Sequence, residues 1–317
     1  MKLKRFLVST FLLCIMILSF SAALGSCGDN SVANGEDTVT VTDALNREVT
    51  VSKNTKRVAA LTGSFADVWV LSGGELCAAA EDAWDDFELV IPDAVNIGGA
   101  HSPSVELLLS SEPELVLASA SVASNVEMLD VLESSNITVI YFDVDNFEDY
   151  LEMLRVCTDI TGREDLYEKN GADVQRQIEN IKRAYADSGK RSSVLLLRAS
   201  SSSLKAKGSH GTVLGEMLSD IGCVNIADSD KSLLDTLSVE AIIRENPCHI
   251  FVVAMGGDGE AAKRSVENLI EENPAWSTLD AIRYSRVHYM DKRLFNLKPN
   301  ERWAEAYQVL YETLVNE

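Results

Sequence analysis

Basic residues are scarce in this chain. It carries 28 Lys and Arg against 49 Asp and Glu, a formal net charge of −21 over 317 residues. A surface that follows phosphates needs clustered cations, so the balance excludes a nucleic-acid role. Cysteine is sparse, six in all and no CxxC pair, which argues against a structural zinc site or a dithiol redox centre. The four histidines lack HxH or HxxxH spacing, so no set of imidazoles points to one metal ion. The signatures GxGxxG, GxxxxGK[ST], GxSxG and HExxH are all missing, and with them the common routes to dinucleotide, phosphate, serine-hydrolase and zinc-hydrolase chemistry. An exported hydrolase built on Ser64, His101 and Asp82 has only residue types behind it. What remains is an ordinary globular composition, 46% hydrophobic and 24% charged, long enough for two domains with a core that needs no disulfide staples.

The start of the chain is the most readable part. Lys2, Lys4 and Arg5 precede an apolar run over 6–24, broken only by Ser and Thr, and small residues follow. That order describes a secretory signal. The run is long enough to span a bilayer, so cleaved soluble export and a retained helix are the competing readings. The tail favours a third. Leu24-Gly25-Ser26-Cys27 is similar to the bacterial lipoprotein signal, and no basic stop-transfer cluster follows it. The expectation is a signal over 1–26, lipid on Cys27 and a polar tether over 27–38. Each buried CH₂ of the acyl chains would contribute about 0.8 kcal/mol to holding the protein on the outer face of a bacterial cell membrane. Cys14 lies in the signal; Cys77, Cys157, Cys223 and Cys248 sit in apolar settings and read as small core residues.

Beyond the tether the pattern falls into two halves. Val39-Thr40-Val41 and Val49-Thr50-Val51 flank Asn46-Arg47 as a hairpin would. Short apolar strands at 57–61, 77–80, 115–118 and 138–142 alternate with helical stretches at 66–71, 103–110 and 125–133. A second alternation runs from 193 to 315. Strands alternating with helices predict parallel α/β sheets. Between them strand signals vanish. Phe147, Leu151, Leu154 and Cys157 recur at helical spacing, then Val174, Ile178, Ile181 and Tyr185 mark one face of a helix over 163–188. About 24 helical residues rise roughly 36 Å, enough for a stiff connector. The expected divisions are 39–145, 146–188 and 189–317.

One repeat is close. Ser104-Val105-Glu106 and Ser238-Val239-Glu240 each open a helix, and Pro113 and Pro247 each follow seven residues after the Glu, ahead of an apolar strand. Ser and Pro are routine start and stop signals, and acids favour a first turn by about 0.3–1 kcal/mol. The two carboxylates still hold equivalent places in two related halves.

These features together resemble the substrate-binding lipoproteins of ABC importers for iron complexes, haem and cobalamin. They are the Leu-Gly-Ser-Cys signal, the segment Val-Thr-Asp-Ala-Leu-Asn-Arg-Glu-Val-Thr-Val, Lys56-Arg57-Val58, the paired S-V-E…P segments and the single connecting helix. The resemblance implies two Rossmann-like α/β lobes joined by one long rigid helix, with a ligand cleft between them. It implies a monomeric receptor without enzymatic activity or cofactor, partnered by permease and ATPase subunits. Glu106 and Glu240 take the docking role against permease arginines. The ligand is expected to be an iron(III)–siderophore-type chelate, with a corrinoid or haem as alternatives.

The cleft should be lined by loops at the carboxyl ends of the strands, here 62–65, 82–87, 98–102, 198–211 and 291–298. Charge is divided unevenly between them. From Arg57 to Arg155 no Lys or Arg intervenes, while 19 acids do. Arg198, Lys205 and Arg293, with Lys207, Lys292 and Lys298, lie in second-half loops and would suit carboxylate or catecholate groups. Phe65, Trp84 and Phe295 offer flat faces, and Ser64 and His101 polar contacts. The acids Asp82, Asp85 and Asp86 fit a cationic ligand group or simply water.

Overall fold

The structure is a computed structural model and describes residues 37–256 and 259–316. The signal over 1–26, Cys27 and the tether up to residue 36 lie outside the described residues. The chain opens with the expected hairpin. β1 (Thr38–Thr42) and β2 (Glu48–Ser52) pair antiparallel, with Val39 opposite Val51 and Val41 opposite Val49. Alternation of Val with polar residues fixes this register, since a slip by one would turn the valines to water. Asp43 holds the turn: its Oδ1 accepts from the backbone N–H of Leu45 and Arg47, and its Oδ2 accepts from the Arg47 guanidinium at 2.6 Å. Arg47 reaches on to Glu133 at 2.8 Å and to the Val139 carbonyl, which ties the hairpin to the first sheet.

That sheet contains β3 (Val58–Ala60), β4 (Leu76–Ala79), β5 (Val95–Asn96), β6 (Leu115–Ser119) and β7 (Thr138–Phe142), in the order β5-β4-β3-β6-β7 and all parallel. β3 and β6 are buried at every position, as strands covered on both faces must be. The second sheet contains β8 (Ser193–Ala199), β9 (Leu204–Lys207), β10 (Val224–Asn225), β11 (His249–Ala254) and β12 (Val287–Met290). Its order is β10-β8-β11-β12, parallel, with β9 folded back antiparallel on β8. The quartets β4-β3-β6-β7 and β10-β8-β11-β12 follow one topology, so the molecule is two α/β lobes of the same design.

The helix caps repeat as well. Thr62 and Thr212 cap the helices Gly63–Leu71 and Val213–Ile221 that follow β3 and β8, each side chain accepting from the third residue on. Ser104 and Ser238 cap Val105–Ser110 and Val239–Glu245 in the same way, both at 3.3 Å. Each such cap is worth about 1 kcal/mol. Both of the latter helices end on a left-handed residue just before proline, Glu112 (φ 47°) and Asn246 (φ 42°). Asn enters that region more readily than Glu. Arg57 compensates, since its Nε donates to the Glu112 carbonyl at 2.8 Å and its Nη2 to that of Ser111.

The connector differs from a single regular rod. Helix Glu164–Tyr167 passes through a π-helical turn, Glu168–Ala172, into helix Asp173–Asp187. The turn sits where the connector crosses the helix Phe147–Thr161. A Cβ on Gly171 would lie 3.0 Å from a Leu151 methyl and 3.1 Å from one of Leu154. The Asn170 carbonyl accepts from the Tyr150 hydroxyl at 2.9 Å, and its amide donates to the Leu71 carbonyl at 2.9 Å. The extra residue per turn opens the helix where a neighbour must come close. The stretch expected as one helix over 125–133 is likewise two, Ala123–Glu127 and Leu129–Ser134. The largest apolar core runs through both lobes along the connector, taking in Phe65, Leu117, Ile178, Leu196, Trp303 and Leu310. Among the described residues no helix is long and apolar enough to cross a membrane.

Candidate functional site at the lobe junction

Parallel strands deliver their following loops to the same edge of each sheet, and here those edges approach one another. The closest crossing is made by residues 291–302, after β12. Asp291 caps the short helix Lys292–Phe295 by accepting from the Leu294 N–H at 3.0 Å. That helix presents its bases to the first lobe. Lys292 Nζ lies 2.6 Å from Asp86 Oδ1, Arg293 Nη2 3.0 Å from Asp67 Oδ2, and Lys298 Nζ 3.3 Å from Asp145 Oδ1. The middle pair is the buried one, with side chains 17% and 9% exposed. Asn300, buried and left-handed (φ 57°), donates to Asp67 Oδ2 at 2.8 Å and to the Ser64 carbonyl at 3.0 Å. Arg293 also donates to the Lys298 carbonyl at 2.7 Å, and its guanidinium lies 4.1 Å from the Phe87 ring centroid.

Burial governs protonation here. It pushes the Asp67 carboxyl up against the pull of Asn300 and Arg293, and pushes the Arg293 guanidinium down. Glu301 is raised first by burial, then by Asp67. Asp82, at the start of the short helix Asp82–Asp85, is also raised by burial, and its Oδ1 is enclosed without a hydrogen-bond partner.

Beside the Lys298–Asp145 pair lies a cavity of about 160 Å³ lined by Asp145, Leu196, Arg198, Thr212, Phe295 and Lys298, among others. Arg198 projects from β8 and Lys205 stands directly opposite it on β9, so both occupy one face. Arg198 Nη2 donates to Asn296 Oδ1 at 3.1 Å, while its Nε is buried with no hydrogen-bond partner. Lys205 is exposed.

Two of the expected ligand residues are spent elsewhere. Phe65 is 3% exposed and meets Phe142 edge-on, ring centroids 6.0 Å apart, so it fills the lobe core. Arg293 is consumed by Asp67, because so buried a guanidinium needs a carboxylate more than a ligand does. Phe295 is also buried, yet lines the cavity. Trp84 is half-buried against the first-lobe core, His101 is exposed, and the Ser64 hydroxyl lies 3.3 Å from that of Thr62. The cavity therefore gathers Arg198 and Phe295, but neither Ser64, Trp84 nor His101. Asp145 was legible only as one acid among many, for nothing in the sequence joins it to Lys298. Glu106 and Glu240 are both exposed in the first turns of equivalent helices. Among the described residues no group of three or more His, Cys, Asp and Glu is placed to hold a metal ion.

Comparison with known proteins follows the same lines. The profile of a family described as periplasmic binding protein matches residues 58–294. The ABC transporter substrate-binding lipoprotein YvrC of Bacillus subtilis is 25% identical over 282 residues, covering 87% of this chain and 85% of the relative. The iron-uptake system-binding protein of the same organism is 22% identical, covering 89% and 90%. The structure of Staphylococcus aureus SirA complexed with staphyloferrin B superposes with a TM-score of 0.70 at 21% identity, covering 87% of this chain and 98% of that one.

Proposed function

This chain belongs to the periplasmic binding protein family, and from that membership we propose that it is the extracytoplasmic receptor of an ABC importer. In this reading it captures an iron(III)–siderophore-type chelate between its lobes and hands it to the permease, with an ATPase driving the transfer. The relatives' names, a substrate-binding lipoprotein and an iron-uptake binding protein, support the class. The observation that carries the ligand is the cationic wall of the second lobe, where Arg198 and Lys298 line one cavity and Lys205 stands opposite Arg198 on the neighbouring strand. Carboxylate or catecholate oxygens of a chelate match such groups. A corrinoid would rely on aromatic and backbone contacts and would leave these charges idle.

Binding is non-covalent, and the chain acts as a receptor, not an enzyme. Glu106 and Glu240 supply the two docking carboxylates. A crossover helix runs antiparallel to the strand it feeds, so both first turns sit at the carboxyl edge of their sheets, on the cleft side. Exposed ion pairs are worth about 0–1 kcal/mol each, so their use is register and specificity.

The test is tryptophan fluorescence of the purified protein titrated with ferric citrate, ferric tris-catecholate and tris-hydroxamate chelates, haem and cobalamin. Half-buried Trp84 is the expected reporter. Saturable quenching by an iron chelate is expected; quenching by cobalamin or haem alone reassigns the ligand, and silence toward the whole panel overturns the receptor reading.

A further inference from the structure

The pair between Lys298 and Asp145 differs from its buried neighbour. Its side chains are 23% and 39% exposed, its separation is 3.3 Å, and it borders the cavity that Arg198 also lines. A pair that exposed is weak and readily exchanged, whereas the Arg293–Asp67 pair is sealed by Asn300 and Phe87. One latch of the junction is therefore fixed and the other exchangeable. Across the cavity, Arg198 keeps a buried Nε–H without an acceptor. A buried donor left unsatisfied is costly, so an incoming acceptor gains by meeting it. The backbone of Asp145 is anchored independently of its side chain, since its N–H donates to Asp149 Oδ2 at 2.9 Å.

We propose that Asp145 is a resident stand-in for a ligand carboxylate. It holds Lys298 while the cavity is free, and an anionic chelate binds by displacing it from Lys298 and accepting from the unpartnered Nε–H of Arg198 as that side chain turns toward it. Asp145 thus sets a threshold: neutral chelates gain nothing by the exchange, and chelates with peripheral anionic oxygens gain both cations. This rests on the receptor reading above and names the charge class that reading leaves open. Asp143 is the other carboxylate near Lys298. It is exposed on the same loop and raised by burial and by Asp145. It feels the Lys298 charge, so the double variant removes it as a substitute partner.

The experiment compares Asp145→Asn and the double variant Asp143→Asn/Asp145→Asn with the parent protein, by fluorescence titration. Ferric citrate and a ferric tris-catecholate serve as anionic probes, and neutral tris(acetohydroxamato)iron(III) as the control. The expected result is about two- to fivefold tighter binding of an anionic probe, larger in the double variant, and no change for the neutral one. Arg198→Gln should abolish the gain. Equal tightening of all probes, or none for an anionic probe that the parent binds, overturns the proposal. Parent binding of only the neutral chelate or cobalamin overturns it while leaving the receptor reading intact. Silence toward every probe removes both.

Discussion

His249 and His288 face each other inside the second lobe, Nδ1 to Nε2 at 3.0 Å, with Phe251 beside both rings. Burial, then the neighbouring His249 and Arg286, hold His288 down at about 4 from its ordinary 6.5. The folded lobe keeps this imidazole neutral where the unfolded chain would protonate it. Stability from this group is complete above pH 6.5 and is lost as pH falls toward 4. Denaturant midpoints measured from pH 7.5 to 4 should fall across that window, and His288→Gln should flatten the fall; an identical slope in the variant would acquit the histidine. Arg293 and Asp67 offer the contrasting lesson. Removing one member of a buried pair strands the other at a cost of about 3–5 kcal/mol, so these residues belong to the frame. The sequence could not separate Arg293 from Arg198. Both are bases at strand ends, and only Asp67, 226 residues away, distinguishes them.

At the scale of elements, legibility followed local chemistry. The Val–Thr alternation of β1 and β2 and the Ser caps of the paired helices were readable because their causes lie within a few residues. β9 was not, since Leu204-Lys205-Ala206-Lys207 follows a serine-rich stretch and becomes a strand only by pairing with β8. The π turn was hidden too, because Gly171 earns its place through contact with the helix Phe147–Thr161. The equivalence of the helices Val105–Ser110 and Val239–Glu245 carries a prediction. Glu106→Arg with Glu240→Arg should leave chelate affinity within about twofold and abolish cellular uptake, while each single variant retains part. Full uptake in the double variant would remove these carboxylates from docking.

For the molecule as a whole, the uneven division of charge has found a structural use. The stretch between Arg57 and Arg155, which holds no base, receives compensating cations, Lys292, Arg293 and Lys298, from the second lobe. The two-lobed α/β design was legible from element order, whereas the junction was not, since each of its ion pairs joins residues more than a hundred positions apart. The expected lipid anchor rests on the basic start, the apolar run over 6–24 and Leu24-Gly25-Ser26-Cys27. Cys27→Ala should leave the chain unlipidated and release it from the membrane fraction of a bacterial host. Unchanged mass and fractionation would refute lipidation at that residue.

The bases that draw the halves together all sit close to the carboxyl terminus. Synthesis runs from the amino terminus, so the acidic half is complete long before the three bases that clasp it to the second. A chain cut short before residue 291 would keep every strand of both sheets and lose all three of these clasps.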